Sequence, residues 1–129
     1  MWEPDIEVTT LLGKIISTII GGEVGSEDLI FHCTDGTKFH LYHDQDCCES
    51  VNIEDICGDI NDLIGNPILQ AEESTSTENP EGVKSGDQNS FKWTFYKFAT
   101  DKGYITIRWY GVSNGCYSES VDFSEITSL

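Results

Sequence analysis

Short runs of β-branched and aromatic residues alternate with glycine-containing turns along this chain, and this alternation limits the folds that it can adopt. Residues 15–20 are almost entirely β-branched and are followed by Gly21 and Gly22. Residues 29–34 and 37–43 flank Asp35-Gly36, a pair typical of a two-residue hairpin turn of type I′. Runs of this kind predict antiparallel strands that are joined by tight turns.

One segment has a different periodicity and predicts a helix. The apolar residues of 53–64 recur at the three- and four-residue spacing of a helix face, and acidic residues fill the opposite face. Asn52 is a favourable N-cap, Gly65 suits the position after the C-terminus, and Pro67 is a stop signal. We therefore predict an α+β fold, in which an antiparallel sheet of about six or seven strands packs against one main helix.

The second half of the chain predicts a loop followed by further strands. Residues 74–90 contain almost no large apolar side chain and predict a mobile loop. Beyond the loop we predict a three-stranded meander at residues 91–99, 104–110 and 116–123. A chain of 129 residues has the size of one domain, so residues 1–129 are predicted to form a single domain.

Acidic residues dominate the charge of the chain. There are 23 Asp and Glu against 7 Lys and Arg, which makes the formal net charge −16. Such a surface repels nucleic-acid phosphates and anionic membranes, and it attracts basic partners, including proteins that hold nucleic acid. The alternative explanation for the same charge is that it keeps the protein soluble.

The middle of the chain concentrates this charge. Between Phe39 and Val83 there is no Lys or Arg. A basic partner is therefore expected to meet the acids of this stretch. The five residues predicted to contact it are Asp55, Asp59, Asp62, Glu72 and Glu73.

Two further features favour a cytoplasmic protein with reduced thiols. The residues Met1–Asp5 are acidic and lack the basic region of a signal peptide, and the apolar run near residues 15–20 is too short to cross a bilayer. The five cysteines are an odd number, which in the cytoplasm favours free thiols or metal ligands over a disulfide framework.

The segment 40–48 is the densest group of potential metal ligands. Zinc prefers thiolate and imidazole in tetrahedral sets of four. We predict a structural zinc site, with Cys33 and His40 as reserve ligands. The four predicted ligands are His43, Cys47, Cys48 and Cys57. Alternatively the cysteines are small buried hydrophobic residues. An enzyme built around His43 and Cys47 is a further alternative, but no recognised catalytic signature accompanies them, so we expect no enzymatic activity.

Aromatic residues crowd the C-terminal strands and suggest a different function. On residues 91–98 both faces of the strand carry aromatic side chains, which is more than one buried face requires. Either the sheet is covered on both faces, or part of it is an exposed aromatic patch. Such a patch predicts a small-ligand sponge or sensor that stacks a nucleotide-like ligand beside Lys97 or Arg108.

The cluster of potential ligands also carries a resemblance. The segment His43-Asp44-Gln45-Asp46-Cys47-Cys48-Glu49 resembles a motif of a family of small uncharacterised phage and prophage proteins, and residues 93–100 and 103–110 resemble its second half. A phage setting implies a role in disabling host defences. CRISPR effector nucleases hold guide and target in a positively charged channel, which an acidic protein can occupy. The resemblance therefore implies an anti-CRISPR inhibitor of a type II effector nuclease, acting in the host cytoplasm.

Overall fold

The computed structural model describes residues 6–45, 48–77, 90–113 and 118–126. These residues form eight β-strands and two short 3₁₀ helices. The strands are β1 (Ile16–Ile20), β2 (Asp28–Cys33), β3 (Lys38–Tyr42), β4 (Ser50–Cys57), β5 (Gln70–Ser76), β6 (Ser90–Thr100), β7 (Gly103–Ser113) and β8 (Asp122–Glu125). The 3₁₀ helices are η1 (Val8–Leu11) and η2 (Ile60–Leu63).

The strands form two antiparallel sheets that share one core. The first sheet has the order β1-β2-β3-β8 and the second the order β4-β7-β6-β5. Phe31 of β2 meets Phe98 of β6 edge to face, with ring centroids 5.7 Å apart. Along β2 the buried residues alternate with more exposed ones, because successive side chains of a strand point to opposite faces. This alternation places one apolar face of each sheet in the shared core.

The predicted α+β fold with one main helix is wrong, because the described residues are nearly all β. Residues 53–57 of the segment predicted as a helix belong to β4, and only Ile60–Leu63 is helical, as η2. A β-bulge explains the misleading periodicity. The pairing with β7 shifts after Ile53, so that Ile53 lies opposite Trp109 and Ile56 opposite Ile107. The extra residue brings two isoleucines three positions apart onto one face of a strand, a spacing otherwise typical of a helix.

Gly58 ends β4 instead of lying within a helix. Its φ is +102°, and a Cβ at this position would lie 2.8 Å from the Tyr104 carbonyl oxygen. Asp59 then caps η2, because its side chain accepts a hydrogen bond from the Asn61 N–H at 3.0 Å. The glycine therefore turns the chain from strand to 3₁₀ helix where a side chain would be strained.

The C-terminal strands also differ from the predicted meander. β6 and β7 form the expected hairpin, but β8 pairs with β3 in the first sheet. The single sheet of six or seven strands is therefore replaced by two sheets of four. Of the predicted loop, residues 74–76 belong to β5 and residue 90 to β6, while residues 78–89 lie outside the described residues.

The β2–β3 hairpin is confirmed, but its turn type is not. Cys33 pairs with Thr37 through its backbone N–H at 2.9 Å, which leaves a three-residue loop. Only Gly36 of this loop has a positive φ, whereas a type I′ turn needs two such residues. Asp35 instead accepts hydrogen bonds from the Thr37 N–H at 3.0 Å and from Lys14 at 2.7 Å. These bonds hold the pKa of Asp35 well below its usual range.

Candidate functional site

A buried ion pair lies where the chain passes from the first sheet to the second. His43 follows β3 and Glu49 precedes β4, and the loop between them brings their side chains together. His43 Nε2 lies 2.6 Å from Glu49 Oε2, and the two side chains are 3% and 0% exposed. His43 Nδ1 lies 2.7 Å from the carbonyl oxygen of Ser120, just before β8. The pair therefore ties three segments of the chain to one point.

The partners of His43 determine where its protons lie. A carbonyl oxygen only accepts, so Nδ1–H donates to Ser120. One further proton is held between Nε2 and the Glu49 carboxylate. Burial alone would lower the pKa of His43, but the hydrogen bonds with Glu49 and Ser120, together with the negative charges of Glu49 and Asp122, raise it overall. The protonated imidazole is thus the form that this environment favours.

A cavity of about 310 Å³ opens beside this pair. Its lining residues are Glu27, Asp28, His43, Gln45, Glu49 and Val51. The Gln45 side chain donates to the Glu49 carbonyl at 2.6 Å, and His40 Nε2 lies 2.7 Å from Asp28 Oδ1. Because both ring nitrogens of His43 are engaged and its side chain is buried, the pair connects the end of β3 to the start of β4.

Of the four predicted zinc ligands, the three that the structure describes, His43, Cys48 and Cys57, do not converge on one point. Cys57 lies at the far end of β4 from Glu49, roughly 20–25 Å away at the usual rise of a strand. Cys48 is disulfide-bonded, which the cysteine count did not anticipate, while Cys33 and Cys57 are free thiols. Cys47 lies outside the described residues. No group of three or more potential ligands converges among the residues that are described, so the zinc site stays a prediction.

The five acids predicted to contact a partner surround the second sheet. Asp55 lies on β4 and Glu72 and Glu73 on β5, the two outermost strands, while Asp59 and Asp62 belong to the η2 turn. Asp55 and Glu72 are roughly 15 Å apart across the sheet, at the usual strand spacing. Within the described part of the chain none of the five forms an ion pair. They occupy two edges and one end of a sheet, not one patch.

The predicted aromatic patch lies on the outer face of the second sheet, but its cations face carboxylates. Trp93 is only 2% exposed and lies under the Arg108 guanidinium, 5.0 Å from the ring centroid. Arg108 Nε also donates to Glu54 at 2.7 Å, and Glu72 is the cross-strand neighbour of Lys97. Of the aromatic side chains that the structure describes, that of Tyr104 is the most exposed, at 75%. An anionic ligand would need the positive charges of Arg108 and Lys97, and each of these side chains already has an acidic neighbour.

A second cavity separates η1 from β5, and we call it the η1–β5 groove. Its volume is about 440 Å³. The residues that line it are Ile6, Glu7, Val8, Thr9, Ala71, Glu72 and Glu73. Glu73 is held in place by the buried Tyr96, whose hydroxyl donates to Glu73 Oε2 at 2.5 Å. The groove thus combines apolar walls with three carboxylates.

One family model covers nearly all of the residues that form this fold. A family model described as a domain of unknown function, DUF7448, matches residues 9–123. The chain belongs to this family. No curated protein and no solved structure matches it. The matched residues of this DUF7448 domain run from η1 to β8 and include both the His43–Glu49 pair and the β5 wall of the groove.

Sequence reasoning found part of these sites in the DUF7448 chain. The sequence singles out His43, but as a metal ligand, and assigns no role to Glu49. The available signal was that the two residues stand at the two ends of one short loop between strands. The groove carried no comparable signal, because Val8 and Ala71 are 63 positions apart. Among the described residues, no helix is long and apolar enough to cross a membrane.

Proposed function

We propose that the protein is a non-enzymatic inhibitor that binds, through its acidic surface, a basic nucleic-acid-binding region of a host defence protein. The proposed partner is a type II CRISPR effector nuclease, and the protein acts as a phage-encoded factor in the host cytoplasm. The partner is a protein, and the acidic surface makes no direct contact with nucleic acid. It does not depend on the zinc site.

The observation that carries the proposal is the excess of carboxylates around the second sheet. The chain has a net charge of −16, and the five acids predicted to contact a partner have no described cation within ion-pairing distance, whereas Glu54 of β4 pairs with Arg108. Unpaired carboxylates on a negatively charged protein raise the association rate with a basic surface and select against acidic partners. A nucleic-acid channel is such a surface, because it has evolved to hold phosphates.

The decisive experiment reverses three of these acids and compares them with three others. Asp55, Asp62 and Glu72 are changed to Lys, while Asp59 is kept as the η2 cap and Glu73 as the partner of Tyr96. The matched control changes three exposed acids, Glu23, Glu27 and Asp44, to Lys. Both triple variants alter the net charge equally. Binding is measured by fluorescence anisotropy against a purified type II effector nuclease, free and loaded with guide RNA.

We expect the first triple variant to lose binding at physiological salt and the control variant to keep most of it. Guide RNA should compete with the protein for the nuclease, and added salt should weaken the complex. Equal affinity of the two triple variants for the nuclease would show that net charge alone, and not the position of the acids, determines binding. Wild-type protein that fails to bind the nuclease at low salt would contradict the proposal.

A further inference from the structure

The η1–β5 groove has a composition that none of the functions considered so far explains. Val8 and Ala71 are buried and form its apolar wall, whereas Glu7, Glu72 and Glu73 are exposed. None of the three carboxylates has a cation within ion-pairing distance among the described residues. An apolar wall lined by unpaired carboxylates is complementary to a side chain that is apolar along its stem and positive at its end.

We infer that the groove binds the long cationic side chain, Lys or Arg, of an extended basic segment of the partner protein. This inference rests on the proposed function and specifies which feature of the basic partner is recognised. The methylene groups pack on Val8 and Ala71, and the ammonium or guanidinium group meets Glu7 and Glu73. A volume of about 440 Å³ falls within the usual range of ligand sites, so one long side chain and adjoining backbone fit.

The core residue Tyr96 orients the Glu73 side chain for this contact. Tyr96 is fully buried, and its hydroxyl occupies Oε2 of Glu73 at 2.5 Å. Oε1 then remains available as an acceptor for a partner cation. Because the carboxylate is already oriented, binding loses less side-chain entropy than it would with a freely rotating glutamate.

The position of the groove favours an extended segment. β5 is the last strand of the second sheet, so one edge of its backbone has no strand partner within the described residues. Such an edge can pair with an added strand, and pockets beside it select the side chains of that strand. A basic segment lying along Gln70–Ser76 would place a side chain in the groove at Ala71–Glu73.

The test uses a peptide of known composition instead of the partner protein. A seven-residue peptide of alternating Val and Lys is titrated into the ¹⁵N-labelled full chain at low salt, alongside an Arg analogue and a neutral analogue with Gln in place of Lys. The variant E7Q/E73Q is compared with the control E23Q/D101N, which removes two exposed charges away from both cavities. Gln at position 73 still accepts from Tyr96, so the variant should fold.

We expect amide shifts at Val8, Ala71 and Glu73 with the Lys and Arg peptides and none with the Gln peptide. E7Q/E73Q should weaken binding about tenfold, near the sum of two partly exposed ion pairs, and the control should not. Equal affinity for the Gln peptide, or equal loss in both variants, would overturn the inference. The nuclease is absent from this assay. The peptide can therefore fail to bind the groove while the protein still binds the nuclease, and the peptide can bind while the nuclease does not.

Discussion

Glu49 and Glu73 carry the same side chain, but the fold places them in opposite environments. Glu49 is completely buried and shares a proton with His43, whereas Glu73 is exposed and has no cationic partner among the described residues. A buried charge must be paired, because removing it from water is costly, so Glu49 is committed to holding the fold. Glu73 is oriented by one hydrogen bond and can still bind something else. Burial, more than residue type, decides here whether a carboxylate is committed to the fold or stays accessible to solvent.

The largest effect is expected from breaking the buried pair. Glu49→Ala leaves His43 buried without its counter-charge and should destabilise the protein by about 3–5 kcal/mol. Urea unfolding followed by tryptophan fluorescence measures this change. In a double-mutant cycle, H43A/E49A should cost clearly less than the two single variants added together, since each single variant already removes the interaction. Additive losses would mean that the two side chains do not depend on each other.

A smaller loss of stability is expected when the His43–Glu49 pair is disturbed indirectly, through the segment that carries Ser120. Gly111 on β7 lies against residue 119, and a Cβ there would be 2.5 Å from the Glu119 carbonyl oxygen. Gly111→Ala must push this segment away, and with it the Ser120 carbonyl that accepts from His43. Overpacking of this kind costs about 1–3 kcal/mol. The matched control is Gly65→Ala, where no atom lies within 4 Å but φ is +90°.

The two glycine variants separate crowding from backbone strain. Gly65→Ala should lose only the cost of a positive φ, about 1 kcal/mol, and leave the His43 ring signals in the NMR spectrum unchanged. Gly111→Ala should shift those signals. If Gly111→Ala left them unmoved, the Ser120 contact would not depend on the close approach at Gly111.

The strands were predictable because their signal is local, whereas their partners were not. Residues 15–20, 29–34 and 37–43 carry β-branched or alternating patterns that need no long-range information. β4 was mistaken for a helix because its bulge after Ile53 changes the period from two to three within one strand. β8 was assigned to the wrong sheet because a strand pattern does not specify which edge it joins.

The same distinction between local signals and long-range contacts applies to the candidate sites. Sequence reasoning selected His43 from its chemistry but paired it with Cys57, which β4 carries to its opposite end. The partner that it does contact, Glu49, has no chemical distinction among 23 acidic residues. The groove depends on where η1 docks against β5, a contact between distant parts of the chain. Residue type therefore indicates what a side chain can do, and only the fold decides what it touches.

Alkaline pH should weaken the buried pair. The pKa of His43 is raised in the folded state above its unfolded value of about 6.5. Folding therefore retains a proton, and this stabilisation is fully present below about pH 6.5 and is lost as the pH rises through the folded pKa. The free energy of unfolding should therefore fall as the pH rises above about 6.5. In His43→Gln that part of the pH dependence should disappear; an unchanged slope would assign it to another group.

The smallest effect is expected at Glu73, and it completes the comparison with Glu49. Glu73→Gln should change stability by no more than about 0.5 kcal/mol, because the side chain is exposed and the amide oxygen still accepts from Tyr96. Tyr96→Phe removes the buried donor and should cost about 1 kcal/mol. Both values come from urea unfolding under the conditions used for Glu49→Ala. If Glu73→Gln destabilised the protein as much as Tyr96→Phe does, its charge would be structural, and Glu73 would not be available to a basic partner.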